Sequence, residues 1–322
     1  MSCSEFSLIE KYFSQQTNQR DDVVVGIGDD AAVMQLAANE QLIVSTDTMV
    51  DGVHFPKETS PFDIGYKLMA VNLSDLASMG AQPRWASLAL SLPESDERWL
   101  EDFSAGLFEL AGKYSVQLVG GDTTRGPLTL SLTLQGTVTE NQYLQRSGAQ
   151  VGDAIFVSGQ LGDAGLALRQ LQAKQGVNTQ LLARLNRPTP RVELGQSLQG
   201  VAHAAIDISD GLLADLGHIM EASELGAELQ LEDLPISEAV SLTTAEGDWS
   251  LPLNAGDDYE LCFTVPESSI GQLASQHCLL TRIGTVVANK GIDCFTSTGE
   301  RLEARRTGYQ HFDSRQTREV TS

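Results

Sequence analysis

Basic residues are scarce in this chain: 21 lysines and arginines face 43 aspartates and glutamates over 322 residues, a formal charge of −22. Binding a polyanion requires basic side chains to displace its counterions, so nucleic acid is excluded as a partner. Long apolar runs are missing too. No stretch approaches the roughly 18 to 20 residues that a membrane span requires, and the amino end, MSCSEF, has neither a basic flank nor an apolar core. The expectation is a cytoplasmic protein with no membrane partner. Cysteine is limited to Cys3, Cys262, Cys278 and Cys294, without a C-x-x-C pair or a histidine at metal-site spacing, which argues against disulfides and structural zinc. A Walker G-x-x-x-x-G-K-[ST] loop is absent, since the Gly112–Lys113 step runs into Tyr114, and with it goes the P-loop class. Aromatics make up only 6% of the chain while glycines number 29. That balance suits many tight turns between strands and helices, hence an α/β or α+β chain, and the length calls for two domains.

EFSLIEKYF spaces Phe6, Ile9 and Phe13 for a short amphipathic helix. Three β-rich runs then each stop at an aspartate and predict buried strands: VVVGIGDD at Asp30, LIVSTD at Asp47 and VQLVGGD at Asp122. FDIGYKLMAVNLSDLASMG predicts a helix ending near Gly80 with Asp75 facing inward, and LTLSLTLQGTV an alternating strand from about Leu128 to Val138. A boundary near residue 150 divides the chain into 1–149 and 150–322. In the second part AAIDISDGLLADLGHIMEAS predicts strand, acidic turn and helix, and AGDDYELCFTV an acidic turn feeding a strand.

Gly26, Gly28 and Ala31 match G-x-G-x-x-A after a strand, with Asp47 about 20 residues on, formally a dinucleotide fingerprint. Asp29 and Asp30 inside that turn would set two negative charges against a bare pyrophosphate, which argues against it. What remains is a set of aspartates at the ends of separate elements: Asp29, Asp30, Asp47, Asp75, Asp122, Asp207 and Asp210. Singly, each reads as an Asx-turn or a helix cap, and most acids of the chain as a solvated surface. Together they line apolar segments that share a core, where repelling carboxylates need cations, and oxygen-only donors suit Mg²⁺. Bridging ions would turn an acidic lining into a phosphate site. A calcium loop is disfavoured by the dispersed ligands. Arg146, beside Gly148 in RSG, could reach a phosphate or simply form a surface ion pair.

Read in order, SEFSLI, GIGDDAAV, STDTMVDGVHF, AVNLSDLASMGAQP, LVGGDTTRG, RSGAQVGD, VSGQLGDA, AIDISDGLLADLGHI, AGDDYELCF and GYQHF resemble the thiamine-monophosphate kinase family over nearly the whole chain. The wider superfamily holds aminoimidazole ribonucleotide synthetase, selenophosphate synthetase and a hydrogenase maturation protein. The resemblance implies an amino-terminal α+β domain that pairs with a second subunit into a dimeric β-barrel, a carboxy-terminal α/β sandwich, and an active site in the cleft between them. It implies ATP-dependent phosphorylation of thiamine monophosphate, with ATP as co-substrate and several Mg²⁺ ions. By position it places Asp30, Ser45, Thr46, Asp47, Asp75, Asp122, Asp207 and Asp210 at metals, and Gly121, Asp122, Arg146 and Ser209 at the nucleotide. His54, Asp257 and Tyr309 fall at the acceptor. One departure stands out: the family usually reads G-E-D-Y-E where this chain has Gly256, Asp257, Asp258, Tyr259 and Glu260. Rival readings are a superfamily synthetase acting on another acceptor and a non-catalytic nucleotide- or metal-binding module.

Overall fold

The computed structural model describes residues 5–14, 16, 18–245, 247–273 and 278–302. In chain order the first part holds α1 (Glu5–Tyr12), β1 (Val23–Val25), β2 (Val33–Met34), β3 (Glu40–Val50), α2 (Pro61–Ser78), β4 (Gln82–Leu92), α3 (Glu97–Lys113), β5 (Gln117–Arg125) and β6 (Thr129–Thr139). The second holds β7 (Ala154–Ser158), α4 (Asp163–Gln172), α5 (Thr179–Asn186), α6 (Val192–Ser197), β8 (Ala204–Asp207), α7 (Leu212–Ser223) and β9 (Gly226–Gln230). It continues through α8 (Glu238–Thr244), α9 (Ser250–Asn254), β10 (Leu261–Val265), β11 (Leu280–Val287), β12 (Gly291–Phe295) and β13 (Arg301–Leu302).

The first part builds a four-stranded sheet in the order β3-β6-β4-β5, antiparallel except for the β4–β5 pair. Period-two alternation fixes its faces. Leu130, Leu132 and Leu134 of β6 are buried beneath the helical layer, while Leu42 and Val44 of β3 are 46% and 54% exposed on the other side. There Thr46 and Thr133 hydroxyls pair at 2.9 Å, and Thr48 with Ser131 at 2.7 Å. Among the described residues the strands of this sheet do not close into a barrel.

Three expectations need correction. The VVV run is no buried strand: β1 pairs only with β2, apart from both larger sheets, and Val24 is exposed, because three residues are too few to cross a sheet. Neither β3 nor β5 stops at its aspartate; both run three residues further, since continuous pairing with β6 and β4 satisfies the backbone past Asp47 and Asp122. The carboxy-terminal sheet, ordered β13-β12-β9-β11-β7-β10-β8, is antiparallel at every pair but β12–β9, and so is not the parallel sheet of α/β architecture. The reason is connectivity: β10 inserts between β7 and β8 and runs opposite to both. The result is a two-domain fold of mixed helix and sheet.

Central strands of that second sheet are buried on both faces, which is why AIFV and LCFTV read as unbroken apolar runs. Phe156, Ala205, Leu261 and Phe263 join the core that contains α2, whereas Ile155, Val157, Ile206 and Cys262 face α7. Helix α2 therefore packs between the two sheets and is buried along almost its whole length from Ile64 to Ala77. Its start is set by Pro61 in the first turn and by Ser60, whose hydroxyl accepts the Asp63 N–H. Close approach to α3 requires glycine: a Cβ on Gly106 would lie 1.9 Å from the Phe62 carbonyl oxygen, and one on Gly65 2.1 Å from that of Phe103.

Candidate active site

Ser45 and Asp47 alternate on β3 toward the face that α2 covers. One turn from the end of α2, Asp75 accepts a hydrogen bond from the Ser45 hydroxyl and shares a further one with the Asp47 carboxyl. From the other sheet, Asp207 ends β8, only 5% exposed, and takes the Ser74 hydroxyl at 2.8 Å. Three carboxylates from three elements thus gather around the carboxy-terminal turn of α2. Burial, then the charges of Asp75 and Asp210, pushes Asp47 up to about 7. Burial also raises Asp75, with the Ser45 hydroxyl and the Arg146 guanidinium working against it. Asp207 is pushed well above the carboxylate range by burial and by Asp75. Arg146, exposed on the loop before β7, is a cation that acts on Asp75 of this group.

A second carboxylate shapes the turn after β8. Asp215, in the first turn of α7, accepts backbone N–H groups from Ser209 (3.0 Å), Asp210 (3.0 Å) and Gly211 (3.2 Å). Its pKa nevertheless rises to about 7, because burial outweighs those donors. The GDDYE segment runs alongside: Asp257 N–H donates to the Ser209 carbonyl at 2.9 Å and Tyr259 N–H to that of Ile208 at 2.8 Å. Asp258 is 1% exposed and holds the Gly162 N–H between its two oxygens at 2.9 and 3.1 Å. Glu260, fully buried, takes Arg184 at 2.9 Å, Arg191 at 2.6 Å and the Ser158 hydroxyl at 2.6 Å. Asp257 itself is 28% exposed and pairs with Lys67 of α2, Nζ to Oδ1 at 2.9 Å. His54, in the turn after β3, accepts the Val50 N–H on Nδ1 at 3.0 Å, an arrangement that puts the ring proton of the neutral imidazole on Nε2.

The structure thus brings together Ser45, Asp47, Asp75, Asp207, Asp210 and Arg146 on one side, and His54 and Asp257 on the other, with Ser209 between. Others stand apart. Thr46 turns its hydroxyl to the opposite sheet face, where it meets Thr133, so only its backbone shares the side of Asp47. Asp30 lies in an exposed bend where its N–H is capped by Asp29. Asp122 is exposed on edge strand β5, and beside it Gly121 is obligatory: its φ is 150° and a Cβ would sit 1.9 Å from the Leu88 carbonyl. Tyr309 lies outside the described residues. Sequence reasoning missed Ser74, Asp215, Asp258, Glu260 and Lys67. Lys67 had a legible signal, a lone lysine within the apolar run YKLMAV, because a buried ammonium needs a partner.

Could magnesium be held here? The donors are all oxygen; among the described residues no three His, Cys, Asp or Glu side chains stand close enough together to cage an ion unaided, although the three carboxylates lie near one another. Mg²⁺ takes one or two carboxylates and completes its shell with water and substrate phosphates, so the residues fit. A carboxyl whose pKa is about 7 folded and near 3.8 unfolded keeps its proton only in the folded chain between those values. The folded state then binds more protons, and stability falls as pH rises from about 4 to about 7. In metal-free buffer the melting temperature should accordingly drop between pH 5 and 7.5, and Asp47→Asn should flatten that slope. Equal slopes in parent and variant would show that Asp47 is not the strained group.

Residues 28–138 match the AIR synthase related protein, N-terminal domain, and residues 150–296 the AIR synthase related protein, C-terminal domain. The thiamine-monophosphate kinase of Escherichia coli (strain K12) is 48% identical, over 97% of this chain and 99% of that protein. The crystal structure of the thiamine-monophosphate kinase from Stenotrophomonas maltophilia K279a is 49% identical and superposes with a TM-score of 0.84, covering 94% of this chain and 99% of that one. AaThiL complexed with AMPPCP and TMP is 31% identical, with a TM-score of 0.76 over 96% and 97% of the two chains. Hydrogenase maturation protein HypE in complex with ATP, 22% identical with a TM-score of 0.76, shares the fold.

Proposed function

The chain belongs to the thiamine-monophosphate kinase family, and from that premise we propose that it moves the γ-phosphoryl group of ATP directly onto the phosphate of thiamine monophosphate, releasing ADP and thiamine diphosphate. The observation that carries the reading is the gathering of Asp47, Asp75 and Asp207 at the end of α2, where burial, joined at Asp47 and Asp207 by repulsion, raises their pKa values and, among the described residues, Arg146 opposes the rise at Asp75. Asp47, Asp75, Asp207 and Asp210, with Ser45 and the backbone carbonyl of Thr46, would hold magnesium, which when bound supplies charge neutralisation between carboxylate and phosphate oxygens. Asp30 and Asp122 are assigned the same role by resemblance alone, since both stand apart from the group. Gly121, Ser209 and Arg146 contact the nucleotide in this reading, Arg146 as a fork for phosphate oxygens.

The nucleophile is a phosphate oxygen whose second pKa is about 6, so it is already largely ionised near neutrality and needs no strong base. What the chain provides is placement: two substrates held end to end and water kept out. His54 would offer Nε2–H to the acceptor, Asp257 would face its positive ring or its amine donors, and the ring of Tyr309 would pack on its heterocycle. We place the division between the domains after residue 149 and the cleft between them. The open face of the first sheet, with Leu42 and Val44 exposed, supports a homodimer in which two such sheets close into one barrel.

Incubation with ATP, Mg²⁺ and thiamine monophosphate should yield ADP and thiamine diphosphate in equal amounts; ADP formed only with a different acceptor would favour a synthetase instead. Asp47→Asn and Asp75→Asn should each cut turnover by at least about 100-fold while the fold survives; near-normal rates in both at limiting Mg²⁺ would remove the shared metal site. Sedimentation at micromolar concentration should return the mass of a dimer, a monomeric mass refuting the barrel. For Asp257→Ala, the Michaelis constant for thiamine monophosphate should rise about tenfold and that for ATP barely change. Equal rises, together with a lower melting temperature, would mark Asp257 as a turn residue only.

A further inference from the structure

Lys67 is out of place by composition: an ammonium in the middle of a helix otherwise packed into the core, with its side chain 3% exposed. A charge so buried persists only when paired, and its partner comes from the opposite half of the molecule. Nζ lies 2.9 Å from Asp257 Oδ1 and 3.5 Å from the His54 carbonyl oxygen. The Tyr259 hydroxyl donates to the same Oδ1 at 3.2 Å. Asp257 thus has its backbone set by a left-handed φ of 69° and by the bond to Ser209, while its carboxylate is set by Lys67 and Tyr259.

We propose that Lys67 is a positioning residue for the acceptor, an ammonium that fixes His54 and Asp257 relative to each other across the cleft. The inference rests on the reading that Asp257 faces thiamine monophosphate. Among the described residues both side-chain contacts to the carboxylate fall on Oδ1, which leaves Oδ2 the atom turned to a ligand. The tether matters more with aspartate than with glutamate at this position: the shorter acid has less reach, so its angle decides whether Oδ2 meets the acceptor. Spacing supports the assignment. Lys67 and Ser74 lie seven residues apart, on one face of α2, and each binds a carboxylate of the carboxy-terminal part, Asp257 and Asp207. One helix face thereby registers the acceptor side and the metal side of the site against the same part of the chain.

The test is a double-mutant cycle on Lys67→Met and Asp257→Ala, with both Michaelis constants, kcat and the melting temperature measured on the full-length enzyme. Lys67→Met should raise the Michaelis constant for thiamine monophosphate about tenfold, with little change for ATP, and should add nothing once Asp257 is alanine. Lys67→Arg keeps the charge on a longer, planar group and should fall between parent and methionine at a melting temperature near the parent's. Additive effects in the double variant, or a lysine variant that shifts both substrates equally in step with stability, would overturn the proposal and leave Lys67 as a packing element. A normal constant in Lys67→Met with a raised one in Asp257→Ala would overturn the tether alone. No acceptor effect in Asp257→Ala would overturn both the tether and the acceptor-side reading.

Discussion

Like charges brought close in a poorly solvated place repel, and Asp47, Asp75 and Asp207 are held in such a place by three elements with no freedom to move apart. Helix α2 cannot retreat, because both sheets and α3 pack on it. Strand β3 cannot slip, since a shift of one residue would carry Asp47 to the open sheet face and Thr46 to the covered one. Strand β8 is locked between β10 and the core. The chain accepts that repulsion because the fold as a whole outweighs it, and the outcome is a group poised to take up either protons or cations.

The acidic turn before β10 shows the opposite solution to the same problem. Glu260 sits in the interior with two guanidinium groups and a hydroxyl on its oxygens, and Asp258 receives a backbone N–H across both of its own. These two acids are satisfied by the protein, so they anchor the segment. Asp257 is the acid of the three that keeps contact with solvent, and the rigid flanks are what allow a small acid to hold a defined position.

Much of this was readable in the residues. The α2 run announced its helix, its inward Asp75 and its end before Gly80, and AGDDYELCFTV announced an acidic turn feeding the strand β10. Less could be read where the answer depends on distant pairing. Nothing local in LIVSTD says that the strand will continue to Val50, because that length is set by eleven residues of β6 lying opposite. The antiparallel course of the second sheet could not be read for the same reason: β10 arrives between β7 and β8 from far along the chain. Within the site, the motif aspartates stood out by repetition, whereas Asp215 looked like any helix-start acid and showed its purpose only through the three N–H groups that it gathers.

Lys67 and Asp75 share one helix, and at 1.5 Å per residue they are separated by roughly 12 Å along its axis. A helix buried on all sides behaves as a ruler with two marks, one for the acceptor and one for the phosphates. Loops around the cleft can lengthen or shorten without altering that span. A single residue inserted between the marks would turn the second by about 100° and aim Asp75 away from Asp47. The calibration of the site is therefore stored as a count of residues, and the stretch from 67 to 75 is where length can drift least.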